Sequence, residues 1–216
     1  MPARILLGDD HIMVRDGLKF LLKQIPDLEV VGEADNGRDI VRLSQKLSPD
    51  IVIMDIAMPE LNGIEATRRI IAENPDVKVI ALSMHSSRRM VEEMIQAGAV
   101  GYVLKNSAFE ELAEAVKNVR SNRAYISPSI TAIVLDKIAR PGSGGPTPSS
   151  VLSPREREVL QMLAEGKTTR EISAALNVSP STVETHRRKI MLKLNIKTLP
   201  ELTKFAIREG ITSVDS

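Results

Sequence analysis

Two patterns of apolar residues alternate along the first 122 positions. Residues 4–8, 28–33, 51–54, 77–82 and 100–104 are short runs dominated by Ile, Leu, Val and Met. Between them, 13–25, 39–47, 63–73, 89–97 and 109–122 repeat their apolar positions every three to four residues, as in Val14, Leu18, Leu21 and Leu22. Short, nearly continuous apolar runs suit strands covered on both faces, and the longer period suits helices that bury one side. Five such strand–helix units predict an α/β domain built on a parallel sheet with helices on both faces. In such a sheet, chemistry gathers at the C-terminal ends of the strands. Residues 129–139 predict one further amphipathic helix.

Beyond 151 only the helical period remains. Ser153-Pro154-Arg155-Glu156 and Thr168-Thr169-Arg170-Glu171 both have the spacing of a capping box, in which a hydroxyl and a carboxylate satisfy each other's backbone N–H groups. The first opens a helix that buries Val159, Leu160 and Leu163 and stops at Gly166; the second opens a short helix through Leu176. Asn177-Val178-Ser179-Pro180 is a tight turn, since Asn tolerates the left-handed conformation. A longer helix over 180–194 and a fourth over 200–209 complete an all-α, four-helix unit. Between the halves, 141–150 is made of Pro, Gly, Ser and Thr alone, the composition of a flexible linker. The expected organisation is a domain at 1–124, a connecting helix and linker at 125–151, and a second domain at 152–216.

Charge separates the halves further. Net charge is +1, but residues 1–139 hold 17 basic and 20 acidic side chains, whereas 151–216 hold 11 basic and 8 acidic. An acidic front and a basic back suggest different partners. With no cysteine, disulfides, thiolate metal cages and thiol catalysis are excluded. His11, His85 and His186 are far apart and show no metal-ligand spacing. Aromatics at 2% argue against single-stranded nucleic acid, whose bases stack on such rings. No apolar run approaches the ~18 residues that span a bilayer, and Arg4, Asp9 and Asp10 interrupt any signal-peptide core. A cytoplasmic protein with no membrane partner is expected.

Functional groups follow the strand ends of the first domain. Asp9 and Asp10 follow the first strand, Asp55 the third, Ser83 the fourth and Lys105 the fifth. Three clustered carboxylates repel and call for a hard divalent cation such as Mg²⁺. A carboxylate beside such a cation, with a hydroxyl and an ammonium nearby, can attack a phosphoryl donor. Taken singly, each residue has a simpler reading as a solvated turn, a strand end or a surface charge. Their convergence on one sheet edge is what points to chemistry.

Residues 3–122 resemble the receiver domain of two-component response regulators. The resemblance rests on Asp9-Asp10-His11, Asp55-Ile56-Ala57-Met58-Pro59 with Gly63, Ala81-Leu82-Ser83 and Gly101-Tyr102-Val103-Leu104-Lys105. It implies a flavodoxin-like five-stranded fold with Asp55 as phosphoacceptor. It also implies Mg²⁺ held by Asp10, Asp55 and the carbonyl of Ala57, with Asp9 acting through water. Ser83 and Lys105 would contact the phosphoryl group, and Tyr102 would be an aromatic switch. Where many receivers carry Pro after the lysine, this chain has Asn106.

Between 169 and 194 the order helix, tight turn, helix matches a helix-turn-helix. Arg187, Arg188, Lys189 and Lys193 on its second helix face a single acid, Glu184. Residues 152–211 resemble LuxR-type DNA-binding domains through Leu152–Val159, Ile172, Leu176, Ser181-Thr182-Val183-Glu184-Thr185-His186 and Lys193-Leu194. The resemblance implies that Glu184, Thr185 and Arg188 face base edges in the major groove, while Thr182, Lys189 and Lys193 hold phosphates. Together the two resemblances imply a phosphorylation-controlled transcription factor rather than an enzyme. Its donor would be a sensor histidine kinase, its target double-stranded DNA, and its active form a homodimer. Two other readings stand beside it. One is a DNA-binding regulator whose receiver answers to a ligand or partner. The other is an aspartyl-phosphate phosphatase, although the second Asp that such an enzyme wants two residues after its nucleophile is Ala57 here.

Overall fold

The computed structural model describes residues 1–84, 87–139 and 151–212; the expected linker at 141–150 lies outside them. The described residues form two compact units.

The first unit alternates strand and helix: β1 (Ala3–Gly8), α1 (Ile12–Lys23), β2 (Leu28–Ala34), α2 (Gly37–Leu47), β3 (Ile51–Asp55), α3 (Gly63–Glu73), β4 (Lys78–Ser83), α4 (Arg88–Gln96), β5 (Gly101–Leu104) and α5 (Ala108–Arg120). A single 3₁₀ turn, Lys105–Ser107, joins β5 to α5. With a further strand, β6 (Tyr125–Ile126), the sheet order is β2-β1-β3-β4-β5-β6, every pairing parallel. Side chains alternate faces along a strand. Ile5, Leu7, Ile51, Ile53, Ile80, Leu82 and Val103 therefore share one face, packed with Leu18 and Leu22 of α1 and Leu112, Ala115, Val116 and Val119 of α5. Leu6, Val52, Met54, Val79 and Ala81 point the other way and are equally buried, on the side of α2, α3 and α4. Burial on both faces is why these strands read as unbroken apolar runs.

The sixth strand, β6 (Tyr125–Ile126), corrects the expected count of five. Two residues cannot show an alternation, and only pairing with Gly101 and Tyr102 makes them a strand. Helix α6 (Pro128–Ala139) follows at once and packs on α4, with Ile130 fully buried. The segment expected to be a connector thus adds a strand and a helix to the first unit.

The second unit consists of α7 (Pro154–Ala164), α8 (Thr169–Leu176), α9 (Pro180–Leu194) and α10 (Leu199–Arg208). Both expected capping boxes form, and Thr198 with Glu201 makes another at α10. Asn177 ends α8 in the left-handed conformation at φ 52°. Leu152, Val159, Leu160, Leu163, Ile172, Leu176, Val183, Ile190, Leu202, Phe205 and Ala206 form its core.

Gly63 explains the last letter of the Asp-x-x-Met-Pro-x-x-x-Gly string. Its N–H donates to the Ile56 carbonyl at 2.9 Å, and a Cβ there would lie 2.0 Å from the Asp55 carbonyl oxygen. The obstacle is backbone, which cannot rotate away. Gly63→Ala is therefore expected to lower unfolding free energy by roughly 1–3 kcal/mol in urea titration, the usual cost of overpacking.

Candidate functional site

Parallel strands that end in register bring Asp9, Asp55, Ser83 and Lys105 to one edge of the sheet. All four are buried, Asp55 to 2% exposure. The Lys105 Nζ donates to Asp55 Oδ2 at 2.7 Å and lies 2.9 Å from Asp9 Oδ2. One ammonium thus bridges two carboxylates from β1 and β3. The remaining Asp9 oxygen, Oδ1, accepts the His11 backbone N–H at 2.9 Å, and Arg15 Nη1 donates to the Asp9 carbonyl at 2.6 Å. Asp55 Oδ1 accepts the Ala57 N–H at 3.3 Å, closing the turn that begins the loop to α3.

Burial dominates the electrostatics. It pushes the Asp55 carboxyl up to about 6 against the pull of Lys105, and the neighbouring Asp9 adds to the rise. Burial also works against the charge on Lys105, but Asp55 and Asp9 outweigh it and hold that ammonium above its ordinary pKa. The Tyr102 ring is buried, and its hydroxyl is hydrogen-bonded to Ser83. Burial raises that phenol to about 12. The residue expected to be a switch and the hydroxyl expected to meet the phosphoryl group are thus directly joined.

The donor set fits a hard cation. Ligand atoms of Asp9, Asp10, His11 and Asp55 lie within 4.8 Å of one another. Asp10 Oδ1 is buried and accepts no hydrogen bond, with His11 Nδ1 2.7 Å away. Carboxylate oxygens so gathered suit Mg²⁺. His11, which shows no ligand spacing with the other histidines, joins this group through its adjacency to Asp9-Asp10.

In the second unit, α8, the turn and α9 form the expected helix-turn-helix. Ser179 caps α9: its Oγ accepts the Thr182 N–H at 3.1 Å and lies 2.8 Å from Ser181 Oγ and 2.9 Å from Thr182 Oγ1. Val183 and Ile190 point into the core, while Ser181, Thr185, Arg188 and Lys189 are exposed on the other side. Positions 181, 185 and 188 follow one helical face, so Thr185 and Arg188 stand together on an open stripe. Two expected contacts already have protein partners. Glu184 Oε1 accepts the Thr169 hydroxyl at 2.8 Å, pinning α8 to α9. Lys193 Nζ lies 2.6 Å from Glu156 Oε2, the carboxylate of the first capping box.

Comparison with known proteins follows the same division. The response regulator receiver domain model matches residues 5–117, and the model of bacterial regulatory proteins, luxR family, matches 150–206. The chain is a LuxR-family response regulator. It is 38% identical to the Escherichia coli K12 response regulator UvrY, over 98% of this chain and 97% of the relative. It is 37% identical to Pseudomonas aeruginosa GacA, over 99% of both. Among solved structures it resembles RcsB of Salmonella enterica serovar Typhimurium, bound to a promoter in the presence of the phosphomimetic BeF3−. That match has TM-score 0.62 and 26% identity, and covers 98% of this chain and all of the other. No described helix of this response regulator is long and apolar enough to cross a membrane.

The raised pKa of Asp55 makes its ionised form costly to the fold. Between the unfolded value of 3.8 and about 6, the folded chain holds the proton more tightly, so stability falls as pH rises through that window. Above it, Asp55→Asn is expected to be more stable than the wild type by roughly 1–3 kcal/mol, a gain that fades below the window. Urea unfolding in EDTA at a series of pH values measures it.

Proposed function

We propose that Asp55 accepts a phosphoryl group from a phosphohistidine of a sensor kinase. A carboxylate oxygen attacks phosphorus, the P–N bond to the histidine breaks, and an acyl phosphate forms on Asp55. The observation that carries this reading is the buried bridge of Lys105 between Asp55 and Asp9. It holds a proton donor beside the nucleophile in a site where charge is expensive. Ser83 and Lys105 are the groups that would hold the transferred phosphoryl. Asp9, Asp10, Asp55 and the carbonyl of Ala57 would hold Mg²⁺, which supplies neutralisation of the carboxylates and the incoming phosphoryl oxygens when bound. The Tyr102–Ser83 hydrogen bond gives a route by which a changed pocket moves an aromatic side chain on β5.

The output is DNA binding. Thr185 and Arg188 lie on the exposed face of α9, where a guanidinium can donate two bonds to guanine and a methyl can meet thymine. Glu184 could accept from cytosine after leaving Thr169. Thr182 and Lys189 suit phosphates, as do the N–H groups at the start of α9. Lys193 reaches a phosphate only by leaving Glu156. Two copies on a two-fold DNA site would place two α9 helices in successive major grooves, so the active form is a homodimer. The site of action is the cytoplasm, where kinase output and DNA meet.

Intact mass after incubation with acetyl phosphate and Mg²⁺ tests the first half. The wild type gains one phosphoryl group; Asp55→Asn gains none, because an amide is not a competent nucleophile, and EDTA abolishes the gain in the wild type. A persisting mass shift in Asp55→Asn overturns the assignment. For the second half, Arg188→Ala is expected to cost ~1–3 kcal/mol at the preferred sequence and to relax specificity there. Lys189→Ala should weaken all sequences alike and flatten the salt dependence. Binding titrations on selected and random duplexes separate the two.

A further inference from the structure

Lys105 reaches Asp55 from the 3₁₀ turn that follows β5, and its backbone there needs an anchor. Asn106 follows it, so no proline ring restrains the chain at that point. The β5–β6 ladder pairs Gly101 with Tyr125 and Tyr102 with Ile126, and then ends. Ser127 continues it by other means. Its N–H donates to the Tyr102 carbonyl at 2.9 Å, and its Oγ accepts the Leu104 N–H at 3.3 Å. A side chain thus supplies the rung that a further strand residue would have supplied. Ser127 is fully buried. Its hydroxyl hydrogen is given to Glu111 Oε2, which also accepts the Tyr125 hydroxyl at 3.3 Å. With its proton so directed, the Ser127 oxygen is left to accept. Its carbonyl takes the Ile130 N–H at 2.9 Å and fixes the entry into α6. Glu111 stands in the first turn of α5, directly after the Lys105–Ser107 turn. The path Leu104–Lys105–α5–Glu111–Ser127 and back to Leu104 is therefore a closed ring with Lys105 inside it.

We infer that Ser127, oriented by Glu111, is a positioning residue that clamps the end of β5 and so sets the Lys105 ammonium against Asp55. The inference rests on the reading of Asp55 as phosphoacceptor. The clamp touches no reacting atom and no carboxylate of the cation site, so it should alter phosphoryl uptake without altering Mg²⁺ binding.

The test uses the full chain. Phosphoryl uptake from acetyl phosphate at saturating Mg²⁺ is followed by intact mass, and Mg²⁺ affinity is measured separately by calorimetry. Ser127→Ala and Glu111→Ala are expected to slow uptake roughly 10- to 100-fold, the scale of a small misplacement of a catalytic group. Both should keep Mg²⁺ affinity within about twofold of the wild type, since that site's ligands are untouched. Glu111→Gln, which still accepts the Ser127 proton, should run near the wild-type rate. Wild-type uptake by Ser127→Ala overturns the clamp. So does parallel loss of Mg²⁺ affinity, which marks general loosening, or equal slowing in Glu111→Gln and Glu111→Ala. Absence of uptake by the wild type overturns the Asp55 assignment itself, and the clamp with it.

Discussion

Two carboxylates and one ammonium share a space that water hardly reaches, and the first unit is arranged around that fact. An isolated carboxylate buried as Asp55 is would give up its charge. Lys105 prevents that only in part, since burial still holds Asp55 well above the usual carboxylate range. The compromise leaves Asp55 with an oxygen that is poorly solvated and close to a cation. It also demands accuracy. The three partners stand at or just past the ends of β1, β3 and β5, so the sheet register must place three strand ends together before the pocket exists.

The second unit meets a different constraint. Its core is small, so the ends of the helices weigh heavily. Hydroxyl–carboxylate caps close three of the helix starts, and Glu156 does double service by also holding Lys193 of α9. Glu184 ties the two helices of the motif through Thr169. With these acids occupied inside the unit, the outward stripe of α9 is left to Thr185, Arg188 and Lys189.

The sequence determined the α/β order of the first unit, the helices of the second, and which residues stand at the strand ends. Apolar runs and helical periods are local, and so are capping boxes, the Asn177 turn and the Asp-x-x-Met-Pro-x-x-x-Gly string. What needed tertiary structure were relations between segments distant in the chain. β6 exists only because Gly101 and Tyr102 accept it as a neighbour. Lys193 looked free in the sequence because Glu156, its partner, lies 37 residues away in a different helix. His11 entered the acidic cluster because the bend after β1 turns its ring toward Asp10. The upward shift of Asp55 could be named as a consequence of burial only once the sheet had closed over it. Ser127 precedes Pro128 in the sequence, and nothing local pairs it with Leu104, 23 residues away. Backbone periodicity is written in neighbouring letters, whereas charge pairing, desolvation and side-chain rungs depend on which distant letters the fold brings within 3 Å or so.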